Sequence, residues 1–217
     1  MPTRILLADD HAIIRQGLCS LLEKQPDIEV VGAVEDGQKA IELVRELKPD
    51  IVIMDISMPN LNGIDATRKI IGELGNVKVI ALSIHSSRRF VMEMLKAGAS
   101  GYILKECLFN ELLEAIQTVR KGEIYLSHRI TGVVVDDYVK RLSGEYQAEA
   151  PDLSPREREV LQLLAEGKST KQIALHLHVS AKTVESNRRN IMDNLDIHSV
   201  AELTKYAVRE GLTPLES

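Results

Sequence analysis

The chain has 217 residues, room for two domains of ordinary size; 44% are apolar, 3% aromatic and none is Trp. No apolar run is long enough to cross a bilayer, and the N-terminus enters a strand-like segment instead of a basic and apolar leader, so a cytoplasmic protein without a membrane partner is expected. Cys19 and Cys107 are too few and too far apart for a disulfide framework or a zinc site. The net charge of −5, with 18 Lys and Arg against 22 Asp and Glu in residues 1–150 and 9 against 10 in 151–217, offers no global basic field for nucleic acid.

Strand-like and helical patterns alternate through the first 121 residues. Strands are expected at Arg4–Ala8, Ile28–Ala33, Ile51–Met54, Val77–Leu82 and Gly101–Leu104. Amphipathic helices are expected at Ile13–Lys24, Gly37–Leu47, Gly63–Leu74, Arg88–Ala97 and Leu108–Arg120, where apolar residues recur as Ile14, Leu18, Leu21 and Leu22 do. Strict alternation with short connections implies an α/β fold, a five-stranded parallel sheet wound with helices on both faces. A first domain over 1–122 follows.

After Gly122 one more helix is expected at Ser127–Leu142, with Ile130, Val133, Val134 and Tyr138 spaced to face one side. The stretch from Ser143 to Pro151 has no periodic apolar face and reads as a linker, so 123–152 is assigned to helix and linker. From Leu153 to 217 the pattern is all helical, a separate four-helix domain. Ser154, Pro155 and Glu157 form a capping box ahead of Val160, Leu161, Leu163 and Leu164, and Gly167 stops that helix. Helices at Thr170–Leu177, Ala181–Leu195 and Ser199–Glu210 follow. The short connection His178–Ser180 gives the helix-turn-helix arrangement.

The chemistry converges on strand ends. Ile51 to Met54 form an apolar run suited to a central parallel strand, and Asp55 follows at its carboxyl end, where open α/β sheets hold ligands. Asp9 and Asp10 end the first strand in the same way. Three carboxylates at one edge repel one another unless a cation joins them, and an all-oxygen set suits Mg²⁺. An aspartate so placed can attack a phosphoryl group, with Lys105 neutralising one phosphoryl oxygen and the Ser83 hydroxyl donating to another.

The pairs Asp9-Asp10, Met54-Asp55-Ile56-Ser57-Met58-Pro59, Gly63, Ala81-Leu82-Ser83 and Gly101-Tyr102-Ile103-Leu104-Lys105 resemble the receiver domain of two-component response regulators. The resemblance implies a flavodoxin-like fold with Asp55 as phosphoacceptor, supplied by a sensor histidine kinase. It also implies that Asp10, Asp55 and the main-chain carbonyl of Ser57 bind the metal, with Asp9 acting through water. Ser83 becomes the switch hydroxyl and Tyr102 the rotating aromatic. Within the phosphorylated site, a few charge-assisted hydrogen bonds are enough to drive a two-state shift of roughly 5.5 kcal/mol. His11, next to Asp10, is a candidate for tuning the pocket, while His85 is expected to be an exposed loop residue.

The segments Leu153–Leu161, Gly167–Ala174 and Val179–Val184 resemble the LuxR-type helix-turn-helix, and the two halves together resemble the NarL/FixJ class. In this reading Lys182, Thr183, Glu185, Ser186, Asn187, Arg189 and Asn190 line the outward side of the third helix, which enters the major groove. Lys168, Ser169, Thr170 and Lys171 open the second helix, where free N–H groups and cations suit a backbone phosphate. The expected partners are double-stranded operator DNA, RNA polymerase and a second copy. Ala201, Leu203, Ala207 and Val208 of the last helix offer either a dimer face or core packing, and the receiver offers a second dimer face. Two alternatives stand beside a phosphorylation-controlled, non-enzymatic regulator. One is a DNA-binding regulator that needs no phosphorylation. The other is a Mg²⁺-dependent aspartyl-phosphate phosphatase, which normally has a carboxylate two residues after the nucleophile, where this chain has Ser57.

Overall fold

The computed structural model describes residues 1–106, 109–143 and 153–213, and the chain divides into two compact units. The first is built from β1 (Thr3–Ala8), α1 (Ala12–Leu22), β2 (Ile28–Val34), α2 (Gly37–Leu47), β3 (Ile51–Met54), α3 (Gly63–Glu73), β4 (Lys78–Ser83), α4 (Arg88–Lys96), β5 (Gly101–Leu104), α5 (Phe109–Arg120), β6 (Tyr125–Leu126) and α6 (His128–Leu142). The expected linker residues 144–151, and Cys107 with Leu108, lie outside the described residues.

All strand pairings are parallel, in the order β2-β1-β3-β4-β5-β6. The central strands bury both faces. Ile5, Leu7, Ile51, Ile53, Ile80, Leu82 and Ile103 meet Leu112, Ile116 and Val119 of α5 on one side. Leu6, Val52 and Met54, the alternate residues of β1 and β3, are equally inaccessible. Helix starts are set by side chains. Asp36 accepts from Lys39 N ahead of α2, and Asn62 accepts from Asp65 N ahead of α3.

Two features depart from expectation. The sheet has six strands, because Tyr125 and Leu126 pair with Gly101 and Tyr102. Two residues are too few to show an alternating pattern, so no sequence signal marks them. That strand and α6 belong to the first unit, so its packing does not end at Gly122. On α6, Ile130 is buried, Tyr138 of the same expected side is exposed, and Asp137 is turned inward. The Asp137 carboxylate is covered by Arg88 of α4, with which it forms an ion pair, and by Arg141, 2.7 Å away. Burial works against its charge, but the two guanidinium groups outweigh it and hold the pKa below the usual carboxylate range.

The second unit is all helical: α7 (Pro155–Ala165), α8 (Thr170–His176), α9 (Ala181–Leu195) and α10 (Val200–Arg209). Each begins on a serine, Ser154, Ser169, Ser180 or Ser199, whose hydroxyl accepts a main-chain N–H one turn on. Ser154 with Glu157, and Ser169 with Gln172, complete capping boxes. Val160, Leu161, Leu163, Ile173, Val184 and Ile191 form the core. Leu203 and Ala207 join it, so of the two readings of the last helix, dimer face or core, these two residues follow the core. Ala201 is exposed and Val208 half-buried.

Candidate functional site

The strand order reverses between β1 and β3, neighbours paired as Ala8 with Met54. That crevice at the carboxyl ends is where open α/β sheets bind ligands. Asp9 follows β1 and Asp55 follows β3, both almost wholly buried, with Asp10 partly exposed beside them. Lys105, just past β5, reaches across so that its Nζ lies 2.6 Å from Asp55 Oδ2 and 2.8 Å from Asp9 Oδ2. The other Asp55 oxygen accepts from Ile56 N at 2.7 Å, which fixes the carboxylate plane.

One cation cannot balance three acids. Burial, with Asp9 and Asp10 adding to it, pushes the Asp55 carboxyl up to about 6 against the opposing pull of Lys105. Burial also works against the Lys105 ammonium, but Asp55 and Asp9 outweigh it and hold that pKa above its usual range. Ligand atoms of Asp9, Asp10, His11 and Asp55 lie within 4.8 Å of one another. Asp9 Oδ2 and Asp10 Oδ1 are buried and make no hydrogen bond of good geometry, although Lys105 Nζ and His11 Nδ1 stand 2.8 and 2.7 Å from them. Buried carboxylate oxygens in that condition fit a hard divalent cation. The acidic cluster can therefore hold a metal.

The remaining expected residues converge here too. Ser83 ends β4, fully buried, and its Oγ accepts from His85 N at 3.1 Å. Tyr102 is fully buried and its hydroxyl donates to the His85 carbonyl at 2.7 Å. Ser57 is buried, with its Oγ 2.9 Å from His85 Nε2. His85 departs from its expected exposed place. The ring is half-buried and stacks on Phe90 at 4.1 Å between centroids, and burial lowers its pKa. No period or motif singled it out, since its partners come from the loop after β3, from β4, from β5 and from α4. His11 is well exposed at 58%, and its Nδ1 is 4.0 Å from Asp55 Oδ2.

On the second unit, Lys182, Thr183, Glu185, Ser186, Arg189 and Asn190 are exposed along α9. Asn187 is half-buried and turned back, its amide donating to the Thr183 carbonyl at 2.9 Å. At the start of α8, Lys171 is exposed and Thr170 half-buried, whereas Ser169 is engaged in its capping box. Lys168 is half-buried and paired with Glu166 at 3.1 Å.

The family model described as the response regulator receiver domain matches residues 5–117, and that for bacterial regulatory proteins of the luxR family matches 151–207. This chain belongs to the LuxR-type response regulators. The oxygen regulatory protein NreC of Staphylococcus haemolyticus (strain JCSC1435) is 40% identical, over 96% of this chain and 98% of its own length. The transcriptional regulatory protein DegU of Brevibacillus brevis is 36% identical, over 96% and 94%. Among solved structures, a LuxR-family response regulator from Aurantimonas sp. SI85-9A1 has a TM-score of 0.61 and 36% identity, covering 64% of this chain and 99% of that one. RcsB of Salmonella enterica serovar Typhimurium, bound to promoter P1flhDC with the phosphomimetic BeF3⁻, has a TM-score of 0.60 and 26% identity, covering 98% and 100%. The response regulator is thus a transcription regulator of the NarL/FixJ class, with a helix-turn-helix DNA-binding half and a receiver that implies a kinase partner. Its relatives are regulators and not enzymes, and the phosphatase alternative is set aside. Among the described residues no helix is long and apolar enough to cross a membrane.

Proposed function

We propose that a sensor histidine kinase phosphorylates this response regulator on Asp55 in the cytoplasm, and that the phosphorylated receiver controls pairing of two copies on operator DNA. The observation that carries the reading is the Lys105 ammonium, 2.6 Å from Asp55 Oδ2 within a buried acidic cluster. An Asp55 oxygen attacks the phosphorus of a phosphohistidine. The phosphorus–nitrogen bond breaks, its electron pair leaves with the imidazole nitrogen, and an acyl phosphate remains on Asp55. Lys105 follows the charge from the carboxylate to a phosphoryl oxygen, and the Ser83 hydroxyl donates to another. Mg²⁺ would be held by Asp10, Asp55 and the Ser57 carbonyl, with Asp9 behind a water, and would supply charge neutralisation at the phosphoryl oxygens.

The acyl phosphate brings about −1.5 to −2 charges to a site lined by Ser83, His85 and Tyr102. A Ser83 hydroxyl drawn toward the phosphoryl group lets go of His85 N, and Tyr102 is tied to the same residue through its carbonyl. Those hydrogen bonds support a switch in the β4–α4 connection. In the DNA-binding half, Lys182, Thr183, Glu185, Ser186, Arg189 and Asn190 of α9 face the major groove, with Asn187 freed on contact, and Lys168 to Lys171 approach the backbone. RNA polymerase is a further partner in this reading.

The decisive experiment labels the chain with acetyl phosphate and Mg²⁺ and footprints operator DNA with and without beryllofluoride. Labelling is lost in Asp55→Asn and protection rises with beryllofluoride. Undiminished labelling of that variant removes Asp55 from its role, and operator protection that ignores beryllofluoride favours regulation without phosphorylation.

A further inference from the structure

The last turns of α6 are held to the first unit by charge. Apolar side chains from Val133 to Leu142 are half-buried or exposed, and the one buried side chain there is Asp137, 2% exposed. The helix start is anchored by Ile130, but Ser127 at the N-cap is buried with a hydroxyl that makes no hydrogen bond. Asp137 pairs with Arg88, the first residue of α4, and with Arg141, one turn along its own helix.

Arg88 follows closely on the switch residues. Three positions before it is His85, whose N–H donates to Ser83 Oγ, whose carbonyl accepts from Tyr102 and whose ring stacks on Phe90 of α4. The entry to α6 hangs from Tyr102 as well, since Leu126 pairs with it in the sheet and the Ser127 N–H donates to its carbonyl at 3.1 Å. One end of α6 is thus tied to β5 and the other to the start of α4.

We propose that the Arg88–Asp137 ion pair is a clasp that holds α6 down in the unphosphorylated receiver and opens when Asp55 carries a phosphoryl group, an inference that rests on the phosphoacceptor reading of Asp55. A Ser83 hydroxyl drawn to the phosphoryl group leaves His85 N without its acceptor. As His85 moves, the stacked Phe90 and the first turn of α4 move with it. A shift of about 1–2 Å takes a guanidinium out of hydrogen-bond reach. Arg88 is 39% exposed, so water then enters and screens the remaining attraction. Arg141 stays with Asp137 because it rides on the same helix, so the opened carboxylate is not left as an unpaired charge. The chain runs on from α6 to the DNA-binding half, so the released helix is the one that leads to it.

Linkage lets the clasp be tested from both ends. A phosphoryl mimic that opens the clasp must bind more tightly, by the same factor, once the clasp is broken. Beryllofluoride with Mg²⁺ is titrated by calorimetry into the full-length native chain, Arg88→Gln, Asp137→Asn and the double variant, and hydrogen exchange is read with and without it. Beryllofluoride should speed exchange of the native α6 amides about ten-fold or more, while β1 and β3 keep their protection in every variant and so report an intact receiver. Each single variant should bind beryllofluoride about five-fold more tightly or better. The double variant should gain no more than about two-fold over the singles, because both changes remove one interaction. Arg88→Gln decides the cause: loss of a cation by itself weakens anion binding, so tighter binding reports release. Acetyl phosphate labelling of the native chain is measured alongside. Labelling with α6 exchange unmoved by beryllofluoride overturns the clasp alone, as does unchanged or weaker binding by Arg88→Gln. A native chain that is neither labelled nor able to bind beryllofluoride overturns the phosphoacceptor reading, and the clasp with it.

Discussion

A Cβ added to Gly63 would lie 1.9 Å from the main-chain oxygen of Asp55. The first residue of α3 is thus pressed against the end of β3, and the Gly63 N–H donates to the Ile56 carbonyl at 2.8 Å. The contact is with backbone on both sides, so no side-chain rotation relieves it. We expect Gly63→Ala to cost about 1–3 kcal/mol of stability and to displace Asp55 from Lys105. Calorimetry and acetyl phosphate labelling on one preparation check this. Unchanged melting with full labelling would show that the loop after β3 yields freely.

The Asp55 carboxyl, pushed up to about 6, binds its proton more tightly in the folded chain than in the unfolded one. Stability therefore falls as pH rises from about 4 to 6, where the folded chain holds more protons, and the ionised group exacts its full penalty above that window. Without metal, Asp55→Asn should stabilise the chain at pH 8 by about 2 kcal/mol and by little at pH 4. Denaturant titrations at the two pH values measure it, and an equal effect at both would contradict the assignment. Added Mg²⁺ should stabilise the native chain at pH 8 and not the variant.

Asp137 obeys the opposite sign. Its pKa is depressed, so its contribution is present above the ordinary carboxylate value of about 4 and is lost as pH falls below it. Asp137→Asn should loosen α6 from α4 at neutral pH. Hydrogen exchange reads this as faster exchange of the α6 amides while those of β1 and β3 keep their protection.

In the DNA-binding half, two substitutions should separate reading from holding. Arg189→Ala should lose about 1–3 kcal/mol on the preferred operator and relax discrimination there. Lys171→Ala should weaken every sequence alike and reduce the slope of log affinity against log salt by about 1. Binding isotherms on two sequences at several salt concentrations distinguish these patterns.

Much of this was legible in the chain itself. Uninterrupted apolar runs at Ile51 to Met54 and Ile5 to Ala8 mark strands buried on both faces, and the carboxylates that follow them mark the ligand edge. The capping box on Ser154 located the start of α7. On α10 the recurrence left a dimer face and core packing open, and Leu203 and Ala207 complete their own core. On α6 it grouped Tyr138 with Ile130, of which only Ile130 is covered, and it gave no sign of buried Asp137, because a period finds a stripe but not which neighbour covers it.

The sequence by itself determined the alternating strands and helices, the acids at two strand ends and the four-helix half, because each is written in local periodicity and capping. Only the tertiary structure decided that Lys105 reaches both Asp9 and Asp55, that His85 lies between Ser57 and Phe90, and that two arginines bury Asp137. Except for Arg141, four residues after Asp137 on the same helix, those contacts join residues that no local pattern relates; around Asp55 they exist because a parallel sheet delivers its strand ends to one edge.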